Sequence, residues 1–191
     1  AIFTGILVRQ LIKNKVLDIP NERSSHCTLI PRGGGISIIS AIIIGWLIDR
    51  VFANTLHSND LMIIGALVVL AGVCFVDDLR GVPVFIKLIF QVLSVAPGLW
   101  ILAETGGVFQ EWLTLELDLA LTGILWIWFI NLFNFMDGID GITGSQVVVL
   151  ALGLATFSAT GMISGDVLGL LLALLAAALG FLVWNWSPAK V

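Results

Sequence analysis

The sequence predicts an all-α, polytopic transmembrane helical bundle of about seven helices, and three observations predict it. Hydrophobic residues make up 59% of the 191 residues and charged ones only 12%, with a mean hydropathy of +1.08. A soluble domain carries about 25% charged residues and needs polar groups to cover itself, which a chain this apolar cannot supply. The apolar residues also fall into long runs, and a spanning helix needs about 20 of them. Finally, Lys and Arg are distributed very unevenly between alternate loops.

The runs are taken in order as residues 1–12, 34–48, 61–76, 88–103, 119–136, 142–165 and 167–186. The first begins in mid-run at Ala1, without Met, and reads as the tail of a longer helix. Asp49-Arg50, Asn59-Asp60, Glu104 to Asp118 and Gly165-Asp166 separate the runs. None shows the two-residue alternation of a strand, and in lipid each segment must satisfy its own backbone groups, so helices follow. No internal repeat and no cleavable signal peptide is apparent. Residues 1–191 read as a single transmembrane domain, itself a piece of a longer protein.

Counting loops alternately puts Arg9, Lys13, Lys15, Arg23, Arg32, Arg80, Lys87 and Lys190 on one side and Arg50 alone on the other. The basic side is then cytoplasmic, and the acidic stretch from Glu104 to Asp118 is outside. Trp46, Trp100, Trp112, Trp184 and Trp186, near expected helix ends, read as an interfacial belt, and the deeper Trp126 and Trp128 as packing. Cys27 in a polar loop and Cys74 in an apolar run read as separate thiols. No basic, aromatic-interleaved patch points to nucleic acid.

Three cytoplasmic segments carry chemistry. Ile19 to His26 with Pro31 to Gly35 is a polar loop ending in glycines. Such a run either admits an anion to helix N–H groups or serves as a pliable entry to the helix. Asp77-Asp78 closes the third run; charge at mid-bilayer costs at least about 2.5–3.5 kcal/mol, so the pair belongs at the interface. Adjacent carboxylates repel unless a cation intervenes, for which Mg²⁺ shared with phosphate oxygens is suited; a solvated helix end is the other reading. Asn131 to Gly141 places polar residues at 131, 134, 137 and 140, neighbouring members sharing a helix face before two glycines. It lacks the spacing of an EF-hand loop, and helix capping is its other reading. Lys87 opens the next helix on the same side, either for function or as a snorkelling cation.

In order along the chain, Asp18 to His26 with Pro31 to Gly35, Asp77-Asp78 with Lys87 and Gln91, Asn131 to Gly141, and Asn185 to Val191 resemble the polyprenyl-phosphate N-acetylhexosamine-1-phosphate transferases. The segment Asn134 to Gly141 is the most specific match, and Ser24-Ser25-His26 with Pro31 to Gly35 looks like the branch that initiates O-antigen or capsule carriers. The resemblance implies a Mg²⁺-dependent reaction, with Mn²⁺ as the alternative ion. A UDP-N-acetylhexosamine gives its sugar-1-phosphate to undecaprenyl phosphate and UMP leaves, at the cytoplasmic face of the bacterial inner membrane. It implies Asp77 and Asp78 as catalytic and metal-holding, and Asn134, Asp137, Asp140, Asn185, Lys87, His26 and Arg32 as substrate-binding. The lipid bilayer is the implied surroundings, and a homodimer is the assembly considered. Two departures stand out. Positions 77 to 81 read Asp-Asp-Leu-Arg-Gly, without the third acid some relatives carry. The family also continues past Pro188 to Val191 into a motif with a further metal-ligating Asp and then a His-containing loop, in a protein of ten or eleven helices. The piece alone is therefore expected to be inactive. The competing reading is a transporter or cation channel using intramembrane carboxylates as an ion site, which midplane acids would favour.

Overall fold

A computed structural model of the chain describes residues 4–5, 17–18, 30–31, 33–109 and 112–191. Among these, six helices are long and apolar enough to cross a membrane. They are α1 (Gly35–Phe52), α2 (Ser58–Arg80), α3 (Val84–Glu104), α4 (Leu115–Met136), α5 (Ile142–Ala159) and α6 (Leu168–Asn185). Among the described residues the count is thus six rather than the expected seven. Of the first expected span only Thr4 and Gly5 are described, both helical, and the rest lies outside the described residues, as do His26, Cys27 and Arg32. The strand pairing among the described residues is a two-residue antiparallel match of β1 (Leu17–Asp18) with β2 (Ile30–Pro31).

Most helices outrun the apolar stretches that announced them. A helix satisfies its backbone internally, so extending it into the interface costs less than ending it in hydrocarbon. Asp49 and Arg50 thus lie inside α1, and Asp60 sits in the first turn of α2, accepting from the His57 N–H at 2.9 Å. α5 ends sooner than expected, at Ala159, where Gly161 turns the chain with φ +76°. Ser164 then caps a 3₁₀ turn, Gly165–Val167, that leads into α6.

The described residues form two compact units, residues 1–56 with 136–191, and residues 57–135. In the first unit α6 packs on both α5 and α1. Its contacts are made by small residues: a Cβ on Gly45 would lie 2.9 Å from the Cβ of Ala173, and one on Gly144 would lie 2.6 Å from Leu182. Ala151, Ala155, Ala177 and Ala178 are buried. Lipid tails are as apolar as leucine, so helices in a membrane associate by close backbone approach, which small side chains permit. Trp46 is buried in this unit, 4% exposed, and so is not part of an interfacial belt.

In the second unit α2 and α3 form an antiparallel hairpin through the three-residue turn Gly81-Val82-Pro83. Trp126 of α4 covers Gly98 of α3, whose Cβ would stand 2.6 Å from its ring, and Leu99 reaches Gly123, at 3.0 Å from a Cβ there. Trp126 covers Gly98 yet stays 41% exposed, and Trp128 is 59% exposed. Asp118, expected in an outer loop, is instead fully buried in the first turn of α4. It accepts from the N–H groups of Val108 (3.2 Å) and Phe109 (2.7 Å) and from Thr122 Oγ1 (3.1 Å), folding the α3–α4 loop onto the helix.

Candidate functional site

Asp77 lies in the last turn of α2, where the helix dipole disfavours a carboxylate. The local sequence offsets that cost. Gly81 turns the chain with φ +68° and donates its N–H to the Asp77 carbonyl at 2.8 Å. Val82 then donates its N–H to Asp77 Oδ1 at 2.8 Å, and Pro83 opens α3 without needing a partner for an N–H. Lys87, one turn into α3, closes an ion pair with Asp77 Oδ2 at 2.8 Å. Asp77 is thus held by both sides of the hairpin turn, with its carboxylate and the ammonium both about one-third exposed or less. Asp78 is exposed beside it.

One turn further along α3, the buried Gln91 faces Asn131 of α4. Asn131 Nδ2 donates to Gln91 Oε1 at 2.9 Å and Gln91 Nε2 donates back to Asn131 Oδ1 at 3.3 Å. Asn134 follows Asn131 by three residues and is exposed. In the unit of residues 57–135, then, Asp77, Lys87, Gln91 and Asn131 form two bonded pairs linked through α3, and Asn134 continues the row on α4.

The other unit holds the remaining expected residues. Asp137 is exposed and accepts from Thr143 Oγ1 at 2.7 Å. Asp140 and Asn185 instead bind backbone. Asn185 Oδ1 accepts from the Gly141 N–H at 3.0 Å while its Nδ2 donates to the Val191 carbonyl at 2.7 Å. Asp140 Oδ2 accepts from the Ala189 N–H at 3.0 Å. Gly141, with φ +74°, lets the 137–141 turn approach Asn185 and Trp186. These bonds clasp the segment 186–191, which includes the cis Ser187–Pro188 bond, to the turn. His26 and Arg32 lie outside the described residues.

Sequence reasoning gave no role to the Gln91–Asn131 pair, to Thr143 or to Asp118. A glutamine four residues after Lys87 in an otherwise apolar run was the available signal for the first, since i and i+4 share a helix face. No group of three or more His, Cys, Asp or Glu side chains suited to a metal occurs among the described residues. The adjacent acids Asp77 and Asp78 fit a cation that takes one or two carboxylates and completes its shell with phosphates and water, as Mg²⁺ does.

Residues 61–191 match glycosyl transferase family 4. The chain is 27% identical, over its whole length and 53% of the relative's, to the probable undecaprenyl-phosphate N-acetylglucosaminyl 1-phosphate transferase of Bacillus subtilis. It is 30% identical, over 83% of itself and 52% of the relative, to the phospho-N-acetylmuramoyl-pentapeptide-transferase of Streptococcus pneumoniae. It is 29% identical, over 90% of itself and 47% of the relative, to the decaprenyl-phosphate N-acetylglucosaminephosphotransferase of Mycobacterium tuberculosis. The chain thus spans about half the length of the curated relatives it matches. With the family match covering most of its residues, the chain belongs to glycosyl transferase family 4, among the polyprenyl-phosphate hexosamine-1-phosphate transferases.

Proposed function

We propose that the full-length protein transfers an N-acetylhexosamine-1-phosphate from a UDP-sugar to undecaprenyl phosphate, on the cytoplasmic face of the bacterial inner membrane. The reaction starts a lipid-linked cell-envelope glycan of the O-antigen or capsule kind. The observation that carries this reading is the Asp77–Lys87 pair beside Asp78, at the end of a membrane-length helix in a chain of this family. An oxygen of the lipid phosphate attacks the sugar-bearing phosphorus, the new diphosphate bond forms, the bond to the uridylyl phosphate breaks, and UMP leaves. Phosphoryl transfer asks for alignment and charge neutralisation more than for covalent chemistry from the protein.

In this reading Asp77 and Asp78 would hold Mg²⁺, which would supply positive charge for the transfer. Lys87 keeps the Asp77 carboxylate in one orientation. Asn134 and Asp137 present polar side chains to the donor, and Asp140 and Asn185 shape the turn beside it. His26 and Arg32 meet phosphate or nucleotide. Counted by alternate loops of the sequence, one side takes the excess of Lys and Arg. Arg80, Lys87 and Lys190 lie there and Arg50 lies opposite, which supports a cytoplasmic site. The carboxylates occupy helix ends and turns, which favours transfer over an ion path through the midplane.

The test uses full-length protein in membranes with labelled UDP-N-acetylhexosamine and undecaprenyl phosphate. Label should pass to the organic phase with release of UMP, chelation of divalent ions should stop it, and Asp77→Asn and Asp78→Asn should each lower the rate on the order of 10²-fold or more. Ion flux in vesicles without sugar transfer, or full transfer by both variants, refutes the proposal.

A further inference from the structure

The geometry points to the Gln91–Asn131 amide pair as the positioning contact that sets α4 in register against α3. In doing so it holds Asn134 level with Lys87 and the Asp77 turn. The inference rests on the transferase reading for its catalytic half and on the helix contacts alone for its structural half.

Side chains of α3 and α4 meet at Gly98 with Trp126, at Leu99 with Gly123, and at Gln91 with Asn131. The pairings run in opposite directions along the two helices, as in an antiparallel match. Followed one more turn from the Gln91–Asn131 level, they bring Lys87 alongside residues 134–135. The first two levels are apolar contacts in which a large side chain fills the space a glycine leaves, a fit of shape without direction. The third is directional. Asn131 Nδ2 also donates to the Ile127 carbonyl of its own helix at 2.8 Å. Both amide hydrogens are thereby assigned, one to Ile127 and one to Gln91 Oε1. Reversing the Asn131 amide would bring two oxygens together at Ile127, so the network admits one orientation. Gln91, at 8% exposure, has its amide matched to that orientation and to no other. Gln91 is buried, so breaking the pair leaves its amide without a replacement partner, and a slip of α4 along α3 is opposed at this level. Neither Gln91 nor Asn131 needs to touch substrate for this role. Each acts through the position of Lys87 or Asn134, one turn away on its own helix.

Two measurements on the full-length protein test the inference. In the first, spin labels replace Phe85 and Phe135, both more than two-thirds exposed, and their separation is read by pulsed electron resonance. A narrow distribution is expected in the parent, a broadened or shifted one in Gln91→Leu and Asn131→Leu, and a narrow one again in the exchanged double variant Gln91→Asn/Asn131→Gln. In the second, kcat and KM are measured for the same variants without labels. The single variants should lose about tenfold or more in kcat with KM for each substrate changing by less than about threefold, and the exchanged variant should recover most of the loss. An unchanged distance distribution in the single variants overturns the inference. So does a broadened one accompanied by unchanged kcat, or an exchanged variant that stays folded and no better than the singles. If the parent transfers no sugar, the transferase reading falls while the distance measurement still decides whether the pair sets the register.

Discussion

Asp77 shows how a single residue is made usable at a place that disfavours it. A carboxylate at a helix C-terminus opposes the dipole, and here a backbone N–H and a lysine on the following helix hold its two oxygens. The ion pair is partly exposed, so its contribution is orientation more than stability. If Asp77 holds the metal as proposed, Lys87→Met should leave the protein folded and lower transfer about 10- to 100-fold, the usual effect of removing an outer partner of a ligand. Activity and thermal unfolding in the same detergent decide it, and a variant with parental activity contradicts the role. Asn185 makes the opposite case. Both functional ends of its amide are spent on the Gly141 N–H and the Val191 carbonyl. Asn185→Ala should cost about 2 kcal/mol from two lost hydrogen bonds, visible as a lower unfolding temperature, whereas Asp137→Ala should shift it little. Equal shifts for the two variants would sink that distinction.

Among the elements, α6 packs through its small face and the α3–α4 loop is held by one buried acid. Gly169, Ala173 and Ala177 recur every fourth residue along α6, with Gly169 against Asp49 and Ala173 against Gly45 of α1. Gly144→Leu introduces bulk where a Cβ alone would already be 2.6 Å from Leu182, so α5 must move away from α6. A loss of about 1–3 kcal/mol is expected, read from unfolding in mild detergent. Gly107 is constrained twice, by φ +86° and by the carboxylate of Asp118 where its Cβ would stand. Gly107→Ala should cost about 2 kcal/mol or more, since it strains the backbone and displaces the acceptor of two loop N–H groups. Parental stability in that variant would show that Asp118 does not organise the loop.

For the whole molecule, orientation is decided by charge and by the number of crossings. In a background without Cys27 and Cys74, cysteines placed at Val82, Ile139 and Ser187 should react with an impermeant thiol reagent from the cytoplasmic side, and one at Gly106 or Ser164 from the other. Labelling of Val82 and Ile139 from opposite sides would overturn the alternate crossing of the helices. The apolar runs that predicted the helices survive as α1 to α6, and the Asp77, Lys87, Asn134 and Asp137 positions were visible as polar residues at helix ends. Trp46 and Asp118 were misplaced from sequence, because whether a residue near a helix end is buried depends on which helix or loop lies over it. The clasp at Asp140 and Asn185 was hidden for the same reason: its bonds join residues 44 and 49 positions apart through backbone atoms that every residue has.

Hydrophobicity and the placement of Lys and Arg are properties of single residues summed along the chain, so a membrane helix bundle, and the ends that hold its polar groups, can be read before any contact is known. Hydrogen bonds and close helix approach are properties of pairs, and their partners are chosen only when the chain folds. The fold therefore settled that Lys87 grips Asp77, that Gln91 meets Asn131, and that Asp140 and Asn185 bind the backbone of the 141 turn and the 186–191 segment.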